Sequence, residues 1–175
     1  MNLGRVLALL VAAIVPTLGG SAVLAQGPVT APAAVQELAG EHPAQYYKRA
    51  SELFKEDKKD DAVFIFYLGQ LRFRTHLLAK PGSDPTGDPA IFASLSEVIG
   101  KPINQYAFGD IPNLARTIDA VLDYDTANAD TFTSPTEFAK IHTDVRDGLT
   151  AMKAKMLAEA DRIRASRLKN GLENR

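Results

Sequence analysis

Side chains capable of chemistry are sparse and scattered along this chain. Its three histidines are His42, His76 and His142. None has another histidine one helical turn away, so no His-x-x-x-His pair presents two imidazoles to a metal from one helix face. His42 stands directly before Pro43 and is expected to cap a helix or lie at the surface. His76 falls in an apolar run and is expected to be a hydrogen-bonded core histidine. Asp144 follows His142 too closely for both to share a helix face. Glu52 and Glu56 do share one, but Lys48, Lys55 and Lys59 surround them, as on a solvated surface. Asp84 and Asp88 miss the ligand spacing of a calcium loop, and no glutamate closes it. The Gly-x-Ser-x-Gly elbow, the phosphate-binding glycine loop and the metalloprotease box are absent. Cysteine is absent too, which removes thiolate nucleophiles, disulfides and cysteine metal sites together. The expectation is no catalytic set, no metal and no cofactor, which points away from an enzyme.

Two places are better candidates for binding. Arg72 and Arg74 interrupt the end of a strongly apolar stretch, near Tyr67 and Gln70. A buried arginine must be paired, because an uncompensated charge in low dielectric is expensive. Either both arginines snorkel to an end of the fold and pair with Asp or Glu, or one lines a polar groove. The second place is the segment 100–112, GKPINQYAFGDIP, which mixes Asn104, Gln105, Tyr106, Phe108 and Asp110 between Gly and Pro. It reads as a loop, packed back to plug the core through Ile103, Tyr106 and Phe108 or presented to a ligand.

The element that must position these residues is 61–79, DAVFIFYLGQLRFRTHLLA. From Ala62 to Leu68 every position is apolar, which leaves no helical face for water, as in a helix buried all round. The run is too long for an ordinary strand. Before it, Tyr46, Tyr47, Ala50, Leu53 and Phe54 recur at helical spacing over 43–56, and Asp57 to Asp60 make a polar turn. After it, 80–89 is a loop of turn-forming residues, and helices are predicted over 89–99 and 112–129. Ser134-Pro135-Thr136-Glu137 has the form of a capping box opening a long final helix, 135–169. Its far end is expected to project, carrying seven basic against three acidic side chains from Lys153 onward. The fold class is all-α, one domain of about five helices.

The two helices around 44–74 bear Tyr46, Ala50, Leu53, Ala62, Phe66 and Gly69 at the spacing of the tetratricopeptide hairpin, and Ala62…Phe66-Tyr67…Gly69 resembles the related Sel1-like repeat. The resemblance implies small residues where the helices cross and a surface for protein binding. Arg49 and Arg74 depart from the family pattern. No second copy follows, so a single hairpin inside a bundle is expected rather than a stacked array.

The first 25 residues read as a secretory signal peptide. Arg5 supplies the positive start, Val6 to Val15 an apolar run too short to span a bilayer, and Val23-Leu24-Ala25 the small residues at the cleavage positions. Cleavage after Ala25 would make Gln26 the first mature residue, in the periplasm or outside the cell. The remainder divides into a flexible leader 26–41, a helical domain 42–170 and a tail 171–175. A formal net charge of −1 gives no reason to expect nucleic acid, and no later segment suggests stable membrane insertion after cleavage. The function expected from these features is a non-enzymatic protein-binding module of the cell envelope. An immunity or inhibitor protein that occludes its partner is one form of it. The alternative is a small-ligand-binding or envelope-modifying protein with a polar pocket between helices, near Arg72, Tyr106 and Asp110.

Overall fold

A computed structural model of the chain describes residues 27–175. The predicted signal peptide lies outside the described residues. Among them every regular element is helical: a 3-10 turn at Ala33–Leu38, then α1 (Pro43–Lys55), α2 (Lys59–Ala79), α3 (Asp88–Leu95), α4 (Lys101–Ala107), α5 (Ile111–Ala127), α6 (Ala139–Ala158) and α7 (Ala160–Lys169). The all-α class stands, with seven helices where about five are expected. No described helix is long and apolar enough to cross a membrane.

The axis of the fold is α2. Residues 62–69 are all buried, as are Leu71, Phe73, Thr75 and His76, so α1, α4, α5 and α6 each find an apolar face to cover. Asp60 and Asp61 in its first turn favour the helix N-terminus electrostatically. α1 and α2 form a tight hairpin, closed by a turn in which Asp57 takes a positive φ of 64°. Gly69 lies directly against Tyr46 of α1: a Cβ there would collide with the Cβ of Tyr46. Ala50 and Ala62 are fully buried in the same core. The segment expected to be a flexible leader contributes to that core as well, because Val35 and Leu38 of the 3-10 turn are buried in it.

Two predicted elements are reshaped. The segment 100–112, expected as a loop, is mostly helix. The chain leaves α3 through a π-helical stretch, Ser96–Gly100, and runs directly into α4. A proline inside an α-helix lacks a donor and crowds the carbonyl four residues back. The wider π turn just before Pro102 accommodates both effects. Gly100 belongs there for a second reason, since a Cβ would come within 3.0 Å of the Phe66 ring.

The predicted long final helix is also broken. Ser134 Oγ accepts from the Glu137 amide at 3.4 Å, but this closes only a turn, and α6 begins at Ala139. At Glu159 the backbone kinks, so that Met156, Ala160 and Ile163 all meet the core. The basic end does not project. Gly171, at φ 71°, reverses the chain, and the Arg175 amide donates to the Gly109 carbonyl at 2.6 Å. The Arg175 guanidinium lies 3.6 Å from the centroid of the Tyr106 ring.

The Gly69–Tyr46 contact makes a prediction. Gly69→Ala adds one methyl group to a site with no room, and overpacking of this kind costs about 1–3 kcal/mol. Urea unfolding should show a lower midpoint with an unchanged slope.

Candidate functional site

The predicted binding residues separate into three environments. Arg72, only 4% exposed, is held in a closed network. Its Nε donates to Asp125 Oδ1 at 3.2 Å, one terminal nitrogen to the Tyr46 hydroxyl at 2.6 Å and the other to the Asn128 carbonyl at 2.9 Å. The Tyr46 hydroxyl in turn donates to the Leu38 carbonyl at 2.7 Å, and Arg146 donates to the second Asp125 oxygen at 3.0 Å. Burial works against the Arg72 charge. The Tyr46 oxygen and the carboxylates of Asp125 and Asp130 outweigh it and hold the pKa above its ordinary value. Burial pushes the Tyr46 hydroxyl up despite Arg72. Arg72 does pair with an acid, as one of the two expectations had it, but inside the bundle rather than at its end.

The residues of 100–112 stand on and around α4. Asn104, Gln105 and Phe108 line a shallow cleft of about 590 Å³ between α4 and α7, opposite Arg162 and Arg167. Asn104 Oδ1 accepts from the buried Tyr67 hydroxyl at 2.9 Å, and that burial raises the Tyr67 pKa. Tyr106 and Asp110 do not line this cleft. Tyr106 is half-buried between Phe54 and Arg175, with its hydroxyl 3.2 Å from Asp60. Asp110 caps α5 by accepting from the Asn113 amide at 2.9 Å.

Arg74 is exposed on the rim of a deeper groove between α2, α3 and α6. The groove holds about 610 Å³ and is lined chiefly by Leu71, Leu77, Phe92, Val145, Leu149 and Met152. Gln70, Asp144 and Gly148 complete its edges. The sequence pattern assigns Leu149 and Met152 to the core stripe of the last helix. What it lacks is the angle between α6 and α3, which leaves a gap over them.

A further cluster joins residues that are separate in sequence. His42, His76 and Asp88 bring one potential metal-ligand atom each to within 4.8 Å of one another. His42 Nε2 lies 3.3 Å from Asp88 Oδ1 and His76 Nε2 lies 2.8 Å from Asp88 Oδ2, with the Phe132 ring packed on both imidazoles. Spacing alone would admit a metal; the chemistry of His42 does not favour it. Its Nδ1 accepts the Ala44 amide at 3.1 Å as the cap of α1, so its proton sits on Nε2, facing Asp88. A ligating imidazole has the reverse arrangement, a bare nitrogen toward the metal and a proton on the other. The cluster fits a carboxylate that accepts from two imidazoles and ties the start of α3 to α1 and α2. The hydrogen bond from His76, aided by His42, holds the Asp88 carboxyl below its ordinary range. Asp88-Pro89 reads in sequence as a helix start; the imidazoles that its carboxylate meets come from 12 and 46 positions away in the chain.

No family model, no curated protein and no solved structure matches the chain.

Two predictions follow from these networks. Asp125→Ala strands both Arg72 and Arg146 and should destabilise the fold by about 3–5 kcal/mol. Arg72→Met should cost less, because Arg146 still compensates Asp125; denaturant titration of the two variants reads the order. Asp88 has a folded pKa depressed below its unfolded value, so its contribution is present at neutral pH and lost as pH falls through the folded pKa. Asp88→Asn should therefore be less stable than wild type at pH 7, and the gap should close in acid below the ordinary carboxylate range.

Proposed function

We propose that this chain is an exported, non-enzymatic binding protein whose ligand is a small, largely apolar molecule lodged between α2, α3 and α6. The observation that carries the reading is the groove itself. Its volume of about 610 Å³ lies within the range of small-molecule sites, and its composition, an apolar floor with a few polar groups at the rim, is theirs too. Export rests on the signal-peptide pattern of the first 25 residues. The polar pocket anticipated around Arg72 has no counterpart there, since Tyr46, Asp125 and Asn128 take up that guanidinium.

A second reading keeps the expected protein partner, with the hairpin of α1 and α2 as a repeat-like scaffold. It is favoured by the likeness of α1 and α2 to a protein-binding hairpin and by large apolar side chains left exposed, Leu78 at 57% and Val98 at 70%.

Native mass spectrometry of the chain recovered undenatured from its own cell envelope separates the two. The expected result is a bound species of a few hundred daltons on wild type (the scale of a drug-sized ligand), lost in Leu149→Glu. A protein partner retained without any small adduct would favour the second reading. Bare protein under gentle extraction would count against both. Circular dichroism of Leu149→Glu checks that the variant remains folded.

A further inference from the structure

We infer that the groove between α2, α3 and α6 takes an amphipathic monoanion, a long-chain carboxylate whose head is held by Arg74 and Gln70 and whose chain lies over Gly148. The inference rests on the proposal that the groove is a small-molecule site, and it names the chemistry of the ligand.

Arg49, Arg72, Arg146, Arg162 and Arg164 each reach a carboxylate. Arg74 reaches none among the described residues. Its guanidinium is instead placed 5.6 Å from the centroid of the Phe92 ring, on the wall of the groove. That stack restricts an otherwise flexible side chain and leaves its donors free. The one acidic residue of the lining, Asp144, is already held by Lys140 across one helical turn, at 2.7 Å. The rim therefore carries an uncompensated cation.

Gln70 stands one helical turn before Arg74 on the same face of α2, and its amide makes no hydrogen bond to another described residue. A fixed guanidinium beside an amide offers several donors to a planar oxyanion. One positive charge matches one carboxylate. A doubly charged phosphate would leave one charge unmatched.

Gly148 supplies the independent observation. It sits inside α6, where glycine is the poorest residue short of proline. Nothing in the fold requires it: an added Cβ would meet no atom within 4 Å, and its φ is not positive. At Gly69 and Gly100 the absent side chain makes room for Tyr46 and Phe66. At Gly148 the room opens into the groove, where bare helix backbone lets a ligand chain lie close to the wall.

The test is isothermal titration of the mature chain with three ten-carbon probes: decanoate, decan-1-ol and decyltrimethylammonium, each below its aggregation limit. Wild type should bind one decanoate about tenfold or more tighter than decanol, as a charge-assisted contact provides. The preference should shrink with added salt because Arg74 is exposed. Arg74→Leu, with Arg74→Gln as a second variant, should bring decanoate down to the decanol affinity and leave decanol binding intact. Gly148→Ala should weaken both probes while raising the melting temperature of the free chain by roughly 2–4 °C. Equal binding of decanoate and decanol, or a decanoate preference that survives both Arg74 variants, overturns the anionic ligand and leaves the groove reading standing. Preference for the cation overturns it as well. Failure of all three probes removes the groove reading itself.

Discussion

A charged guanidinium inside a helical bundle is tolerated only if every direction it faces supplies an acceptor, and much of this structure follows from meeting that demand at Arg72. The acceptors come from four parts of the chain: Tyr46 on α1, Asp125 on α5, the Asn128 carbonyl just beyond α5, and Leu38 of the 3-10 turn, which Tyr46 reaches in turn. Arg146 brings α6 into the same network through the second oxygen of Asp125. The apolar contacts of α2 are non-directional and would allow its neighbours to slide. The Arg72 network does not, because each hydrogen bond has a required distance and angle. Replacing such a network with apolar residues can leave stability unchanged or improve it. Its role here is positional: it sets where α5 and α6 lie around α2, and hence where α6 lies opposite α3.

The groove is a consequence of that placement. α3 has no buried residue of its own, and it is held through its first residue, by Asp88 against His42 and His76, and through Phe92 packed on Tyr47 and Phe73. Both anchors lie on α1 and α2, so α3 does not close fully on α6. The gap between them leaves Leu149, Met152 and Leu77 half-buried, where an idealised bundle would cover them. Arg74 occupies the edge of the gap because its face of α2 is the one left uncovered there: Phe73 and Thr75 on either side are fully buried.

Local sequence carried much of the architecture. The unbroken apolar run 62–68 required a helix buried on all sides, and the structure gives it that. Pro43 and the turn around Asp57 marked the limits of α1 to within a residue or two, because caps and turns depend on neighbours close in the chain. Where the expectation failed, a distant contact overrode a local signal. Gly100-Lys101-Pro102 has the composition of a break, but Phe66 needs the space above Gly100 and a π turn absorbs the proline, so helix continues. The basic C-terminal segment has the composition of a solvated end, but Arg175 finds Tyr106 and Gly109 on the far side of a reversal at Gly171.

The candidate sites divide along the same line. The residue types that matter, Arg72, Arg74 and Asn104, were identifiable from sequence because charge or amide in an apolar context needs an explanation. Their assignments were not, since pairing is a property of space: Arg72 and Arg74 are two positions apart in the chain, yet one is enclosed by Asp125 and the other faces a groove. The His42–Asp88–His76 cluster has no signature at any fixed spacing, because three different elements supply it. By itself the sequence determined an all-helical chain organised on 61–79, since hydrophobic periodicity and turn chemistry act over a few residues. The tertiary structure decided which polar groups are enclosed by partners and which face open space, because that depends on the packing angles of helices distant in sequence.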